Sequence, residues 1–527
     1  MRRRTFLATS AATLALPSVA QPASARVLKF IPQSDLAVLD PIWTPAYITL
    51  YHGYMVYDTL YGQTGKQFGF KCTPQMVAGH VVENDGKTWK LTLRDGLLFH
   101  NGERVLATDC VASVRRWGAR DAFGQALMVR TDEINAPDDK TIMFRLRHPF
   151  PLLPDALGHA VSNMCAIMPK HIAETDPSKK FTEVVGSGPF RFKANERVQG
   201  SFFAYERFDE YKPREDGESS FTAGPKIVHF DRVEWHVQPD AATKVAAMQA
   251  GEMDWWENPP VDLLPLLRKH KIATPILDPA GLQVALQPNH LHPPFDKPAV
   301  RRALLGAIDQ KDFMVAARGE DTSLWSVPVG FFPPASPLAS DAGLSVLTDK
   351  RDYTAVRRAL EIAGYQGERV VLIVATDIPT ALAASNITAD VLKRVGINVD
   401  YQATDWGTVL QRRTSTKPPH EGGWNLFCVG LPGLFCFTPA THVPLRGAGK
   451  AGWFGWPDDP RMEELRDAWF DASDLPVQKK IGEQMQLQAF ENVPYYPLGS
   501  AQQPTALQPN ICDAPEGFPL FWNARRT

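Results

Sequence analysis

Apolar and polar residues alternate with period two through TWKLTL, where Trp89, Leu91 and Leu93 point one way and Lys90, Thr92 and Arg94 the other. That is the pattern of a strand with one buried face. Two glycine-bearing turns, Asp95-Gly96 and Asn101-Gly102, follow it and predict a hairpin corner around His100. Thr108 or Asp109 is then placed to cap a helix through CVASVRRW, because a short side-chain oxygen satisfies the free amides of a first turn. The local grammar is structural and by itself leaves the role of His100 open. Hairpins with short helices continue through VYDTLYG, TIMFRLRHPF, GSGPFRFKANE and KIVHFDRVEWHV, an α+β texture. In ATKVAAMQAGEMDWWENPP, Val245 and Met248 lie one helical turn apart, Gly251 stops the helix, and EMDWW resumes extended.

The pattern changes in the second half. FDKPAVRRALLGAIDQKDFM predicts the strongest helix of the chain, with Asp296 near the cap and Pro298 in the first turn. Its buried face would carry Val300, Ala303, Leu304, Ala307 and Ile308, and its solvent face Arg301, Arg302 and Gln310. RVVLIVA reads as a buried strand, ITADVLKRV as a helix closed by Gly396, and INVDYQ as an alternating strand. Strand, helix, strand in that order implies a parallel pair with a right-handed crossover. The tail from ENVPYYPLGS onward is too short for a third domain and too apolar to hang free, so it should return to pack on the first lobe.

A chain of 527 residues exceeds the size at which one core stops growing, so two or more lobes are expected. The first 25 residues read as a leader: MRRR, the apolar run FLATSAATLALPSVA, and small residues ending at Ala25. Arg3-Arg4-Thr5-Phe6-Leu7 also fits a twin-arginine signal, and the apolar run is shorter than the ~20 residues of a membrane span. The mature protein is therefore expected free in the periplasm. Loss of the three leader arginines takes the net charge from −2 to −5, which gives no basic footprint for nucleic acid.

Six cysteines would then meet an oxidising compartment, and Cys428 with Cys436 could close a small ring, whereas Cys110 reads as a buried small hydrophobe. Gly447, Gly449 and Gly452 fit a dinucleotide-loop count, but no strand precedes them, so a loop is the better reading. No serine elbow, zinc-protease, C-x-x-C or phosphate-loop sequence is present. His290 and His292 could offer one edge of a metal site if the chain is extended there, with no third ligand in sight. Trp43, Trp325, Trp406, Trp424, Trp453 and Trp456 lie in Pro/Gly-rich contexts; any one of them can be core, but together they fit a cleft lined by aromatic faces. The sequence suggests a binder before a catalyst, with no cofactor.

These residues resemble the family 5 extracellular solute-binding proteins of ATP-binding cassette importers, the dipeptide, oligopeptide and nickel receptors. The similar segments run in order: LDPIWTPAYITLYHGYMVYDTLYG, TWKLTLRDGLLFHNGERVLATDCVASVRRW, GSGPFRF, ATKVAAMQAGEMDWW, PFDKPAVRRALLGAIDQKDF, ALEIAGY and LKRVGINVDYQATDW. The resemblance implies an α/β, two-lobed periplasmic binding protein fold of type II with an extra subdomain in lobe one, and a ligand cleft between hinge-linked lobes. It divides the chain into a signal peptide at 1–25, lobe one at 26–278, lobe two at 279–490 and a returning lobe-one segment at 491–527, with crossings near 275–283 and 488–496. A monomer that passes a small organic solute to a membrane permease is implied. Peptide receptors of this kind resemble one another in a G-W-x-x-D stretch; here Gly423-Trp424 is followed by Asn425, Leu426 and Phe427, with no carboxylate. An unpaired buried ammonium is costly, so a neutral or anionic solute is expected unless Asp405 or another acid reaches in. The ligand-facing set would be Trp43, Tyr47, Trp325, Trp406, Trp424, Asn425 and Phe427. Two rivals stand beside this reading: a metal or metal-chelate receptor using His290 and His292, and a secreted hydrolase built on scattered carboxylates.

Overall fold

The computed structural model describes residues 26–472 and 474–527. The leader, its twin-arginine pattern and the cleavage after Ala25 lie outside the described residues. Two six-stranded sheets organise the chain. In the first, Val27–Ile31 is central and pairs in parallel with Arg232–His236 and Trp255–Trp256. Phe202–Arg207, Phe190–Phe192 and the late strand Ala506–Leu507 complete it antiparallel. A separate four-stranded antiparallel sheet, Val77–Glu83, Thr88–Leu93, Thr141–Leu146 and Thr131–Asn135, forms the extra subdomain, with helices Ala107–Gly118 and Ala122–Arg130 packed beside it.

The alternation in TWKLTL is realised there: Trp89, Leu91 and Leu93 are buried and Thr92 is exposed. Gly96 and Gly102 take the left-handed φ of 77° and 86° that the turns require. The cap differs in detail from expectation. Leu106 is the N-cap, and Asp109 works from inside the first turn, where its carboxylate accepts from the Leu106 amide at 2.8 Å and the Lys170 amide at 2.8 Å. Asp109 thereby ties this helix to the start of Lys170–Ala173.

The second sheet runs Trp325–Ser326, Tyr496–Ala501, Leu282–Pro288, Leu426–Pro432, Arg369–Ala375, Asn398–Thr404. Its last two strands are the parallel pair read from the sequence, joined by helix Pro379–Arg394. The long predicted helix is two, Pro298–Leu305 and Gln310–Arg318, broken after Gly306, and the second is capped by Asp309 accepting from the Lys311 amide. Arg301 and Gln310 are buried, not solvent-facing. Arg301 reaches the carbonyls of Phe295 and Asn492, and Gln310 those of Val329 and Pro497, so polar side chains with enough donors replace apolar ones on the core side.

The chain does not re-enter the first lobe at 491. Helix Leu475–Asn492 leads into Tyr496–Ala501, which pairs with Leu282–Pro288 in the second sheet; the first sheet is rejoined at Ala506–Leu507. The two crossings run side by side, Thr505 N donating to Pro275 O at 2.9 Å. Beyond them Phe518, Phe521 and Trp522 are buried in lobe one, Phe521 packing edge-on to Phe30 at 5.1 Å.

Candidate solute-binding site

Helix Tyr47–Val56 opens at the seam between the lobes. Tyr47 lies against Tyr51 and Phe518, and its hydroxyl is buried without a hydrogen-bond partner. Burial, then the neighbouring charge of Asp278 and the Cys436 thiol, hold that phenol well above its ordinary pKa. Asp278 sits on the first crossing, its carboxylate accepting from the Ala280 amide at 2.9 Å. Burial pushes it up to about 6 against the opposing amide bonds of Ala280 and Gly281. Behind Tyr51, Glu257 accepts from the Tyr51 hydroxyl at 2.8 Å and is pushed by burial up to about 7. This side of the seam thus holds two buried acids, Asp278 and Glu257, whose carboxyls burial raises above the usual carboxylate range.

Lobe two meets this wall through the turn Gly433–Cys436 at the end of Leu426–Pro432. Phe437, next in chain, packs edge-on to Phe70 of lobe one with centroids 4.6 Å apart. Phe435 leads along lobe two to Trp453, at 5.9 Å. There the Arg413 guanidinium stands over Trp406, Trp453 and Phe454, at 5.6, 5.3 and 4.3 Å. Its Nε is buried and unpartnered, no carboxylate among the described residues pairs with it, and burial lowers it to about 10. A partly desolvated guanidinium with open donors fits a carboxylate in the fork geometry arginine favours.

Of the residues singled out by sequence, Tyr47 lies at this seam and Trp406 beside Arg413. The rest do other work. Trp424, Asn425 and Phe427 are fully buried. Asn425 spends its amide on Val371 N and Pro293 O, and Trp424 packs on Phe427 and Trp456, because these residues open a central strand with core on both faces. Trp325 starts an edge strand and donates to Gly319 O. Trp43 is covered by Arg120 at 4.5 Å, away from Tyr47's partners. Sequence reasoning missed Asp278 and Arg413, since a lone acid before proline and one arginine of an Arg-Arg pair carry no spacing signal.

The remaining expectations divide. Cys428 and Cys436 are free thiols: Cys428 lies on strand Leu426–Pro432, 3.4 Å from the Thr388 hydroxyl, and Cys436 ends the turn Gly433–Cys436. Cys110 is buried as read. His290 and His292 sit on a turn and not an extended segment; His292 Nε2 lies 2.9 Å from Thr416 O and burial holds His290 well below its ordinary pKa. Asp405 caps helix Trp406–Arg412 by accepting from Thr408 and is exposed. His100 is structural: its amide donates to Gly186 O at 2.9 Å, its Nε2 lies 3.0 Å from Gly188 O, and Phe208 packs edge-on at 5.0 Å.

Two lobes on separate sheets, two adjacent crossings and a polar-tipped aromatic seam between them define a hinged binding protein of the periplasmic type. The model for the bacterial extracellular solute-binding proteins, family 5, matches residues 71–430, and the chain belongs to that family. It is a solute-binding receptor of an ATP-binding cassette importer. A "probable peptide ABC transporter periplasmic-binding protein" of Sinorhizobium fredii is 34% identical over 496 residues, 93% of this chain and 92% of that protein. Among solved structures, the binding protein of A. tumefaciens R10 with agropinic acid superposes with a TM-score of 0.77 at 21% identity, over 95% of this chain and 99% of the other. The Helicobacter pylori periplasmic binding protein with the peptide STSA gives 0.77 at 19%, over 95% and 98%. No helix among the described residues is long and apolar enough to cross a membrane.

Proposed function

We propose that this receptor binds, in the periplasm, a small peptide-like solute bearing a free amino and a free carboxyl group, and hands it to a membrane permease as a monomer without catalysis. The leader would be cleaved after Ala25, leaving lobe one from 26–278 with the tail from Ala506, and lobe two between the crossings. One observation carries the reading: Asp278 stands beside the unpartnered Tyr47 hydroxyl at the turn Gly433–Cys436, and from that turn Phe435 leads to Trp453 and the carboxylate-free guanidinium of Arg413. Asp278, near pH 6, ionises readily when an ammonium arrives, which removes the desolvation objection to a charged amine. Aromatic faces between the two tips bury whatever organic body joins them. Asp278, on the crossing and not in the stretch after Trp424, is read as the other acid for which the expectation of a neutral or anionic solute left room. The peptide named for the S. fredii relative supports this reading. A second reading, an organic acid without a free amine, is favoured by the lack of any acid in NLFCVGLPGLFCF and by the agropinic acid of the A. tumefaciens protein.

Calorimetric titration of the mature protein with short peptides, their N-acetyl forms and their C-terminal amides separates the two. Each lost charge-assisted bond should weaken binding about 10- to 100-fold. Asp278→Asn should erase the cost of acetylation, and Arg413→Gln that of amidation. Equal binding of free and acetylated peptides would leave only the second reading; no binding of any of these compounds would discard the first.

A further inference from the structure

The four-stranded subdomain supplies none of the residues proposed to hold the solute, yet it grips lobe two. Phe470, on the lobe-two helix Pro460–Asp471, is fully buried. Its ring lies 5.7 Å from Phe123 and 6.1 Å from Phe150, both on the subdomain side and both buried. Arg130, the last residue of helix Ala122–Arg130, closes over this cluster with its guanidinium 5.6 Å from the Phe150 ring and 5.0 Å from the Phe470 ring. It then reaches Asp471 at 3.2 Å and Asp467 at 3.9 Å. The arginine side chain is only 14% exposed, whereas those of Asp471 and Asp467 are 62% and 70% exposed. Opening the lobes would bare Phe470 to water and strip Arg130 of both acids. Neither change involves solute.

We infer that the subdomain is a closure catch: Phe470 docks between Phe123 and Phe150, Arg130 locks it through Asp471, and the ligand-free receptor is thereby held toward its closed form. The apparent affinity for any solute then scales with the fraction of closed receptor the catch maintains. The catch is independent of which solute is carried, so it stands or falls apart from the peptide reading.

Small-angle X-ray scattering of the protein, unfolded and refolded to remove co-purified solute, tests it. Wild type should scatter as the closed shape. Arg130→Asp should shift to a larger radius of gyration with unchanged circular dichroism, and the exchanged pair Arg130→Asp with Asp471→Arg should restore the smaller one. Should Arg130→Asp fold poorly, Asp471→Arg alone, at an exposed site, serves as the opening variant. Raising NaCl to 1 M, where the Debye length is about 3 Å, should also expand the wild type. A wild type already extended without solute, a variant as compact as wild type, or a double variant that stays extended each overturns the catch.

Discussion

His100 ties a hairpin corner to the GSGPF loop by hydrogen bonds at both backbone and ring, and it does so as a neutral imidazole, lowered by burial to about 4. On its other side the loop presses on helix Tyr47–Val56, where a side chain at Gly186 would meet Val56 O at 1.9 Å. His100→Ala should therefore cost about 2 kcal/mol in urea unfolding and leave solute binding unchanged. The pH dependence follows from the sign of the shift. Between pH 6.5 and 4 the unfolded chain takes up a proton at His100 that the folded chain refuses, so its contribution is full above pH 6.5 and declines on acidification. His100→Gln should lose less relative to wild type at pH 4.5 than at pH 7, by on the order of 2 kcal/mol. Asp278 behaves oppositely. Raised to about 6, it stays protonated in the fold while the unfolded chain ionises, so stability falls as pH rises from about 4 to 6. Asp278→Asn should gain on wild type over that interval, which paired melts at pH 4 and 7 would detect.

At the scale of elements, periodicity was reliable wherever one face meets solvent and the other meets core. TWKLTL is such a case, whereas RVVLIVA, buried along nearly its whole length, was legible as a continuous apolar run in a strand, helix, strand unit. Periodicity failed where a polar side chain is buried by satisfying its donors. Arg301 looks like a solvent residue in PAVRRALL, but its guanidinium binds the last carbonyl of helix Leu475–Asn492 and that of Phe295, so it joins two elements no spacing rule connects. Arg301→Ala should destabilise lobe two by about 3 kcal/mol, read as a lowered urea midpoint, because it leaves buried carbonyls unpaired. The candidate site was half legible for a related reason. Tyr47 stands at the opening of a helix in a segment with a recognisable pattern, whereas Trp424 and Phe427 looked available only because sequence does not say which end of a strand faces the seam. Arg413 gains its role from Trp453 and Phe454, some forty residues on, which come together only in three dimensions.

At the scale of the molecule, the α/β two-lobe architecture was legible from the switch in texture between halves, and the point of return was not. The apolar run of the tail matched a core, but Tyr496–Ala501 serves the second sheet first, and nothing in composition distinguishes one core from the other. The last stretch has a consequence for how the chain is made. Phe521 completes the packing around Phe30, Trp235 and Trp255, Phe518 packs on Tyr51 and Tyr54, Trp522 packs on Tyr54, and Ala506–Leu507 closes the edge of Trp255–Trp256. The lobe that is synthesised first is therefore finished last. As the chain emerges, the second sheet needs nothing beyond Ala501, whereas lobe one still lacks an edge strand and part of its aromatic centre until residues 506–522 are free to pack.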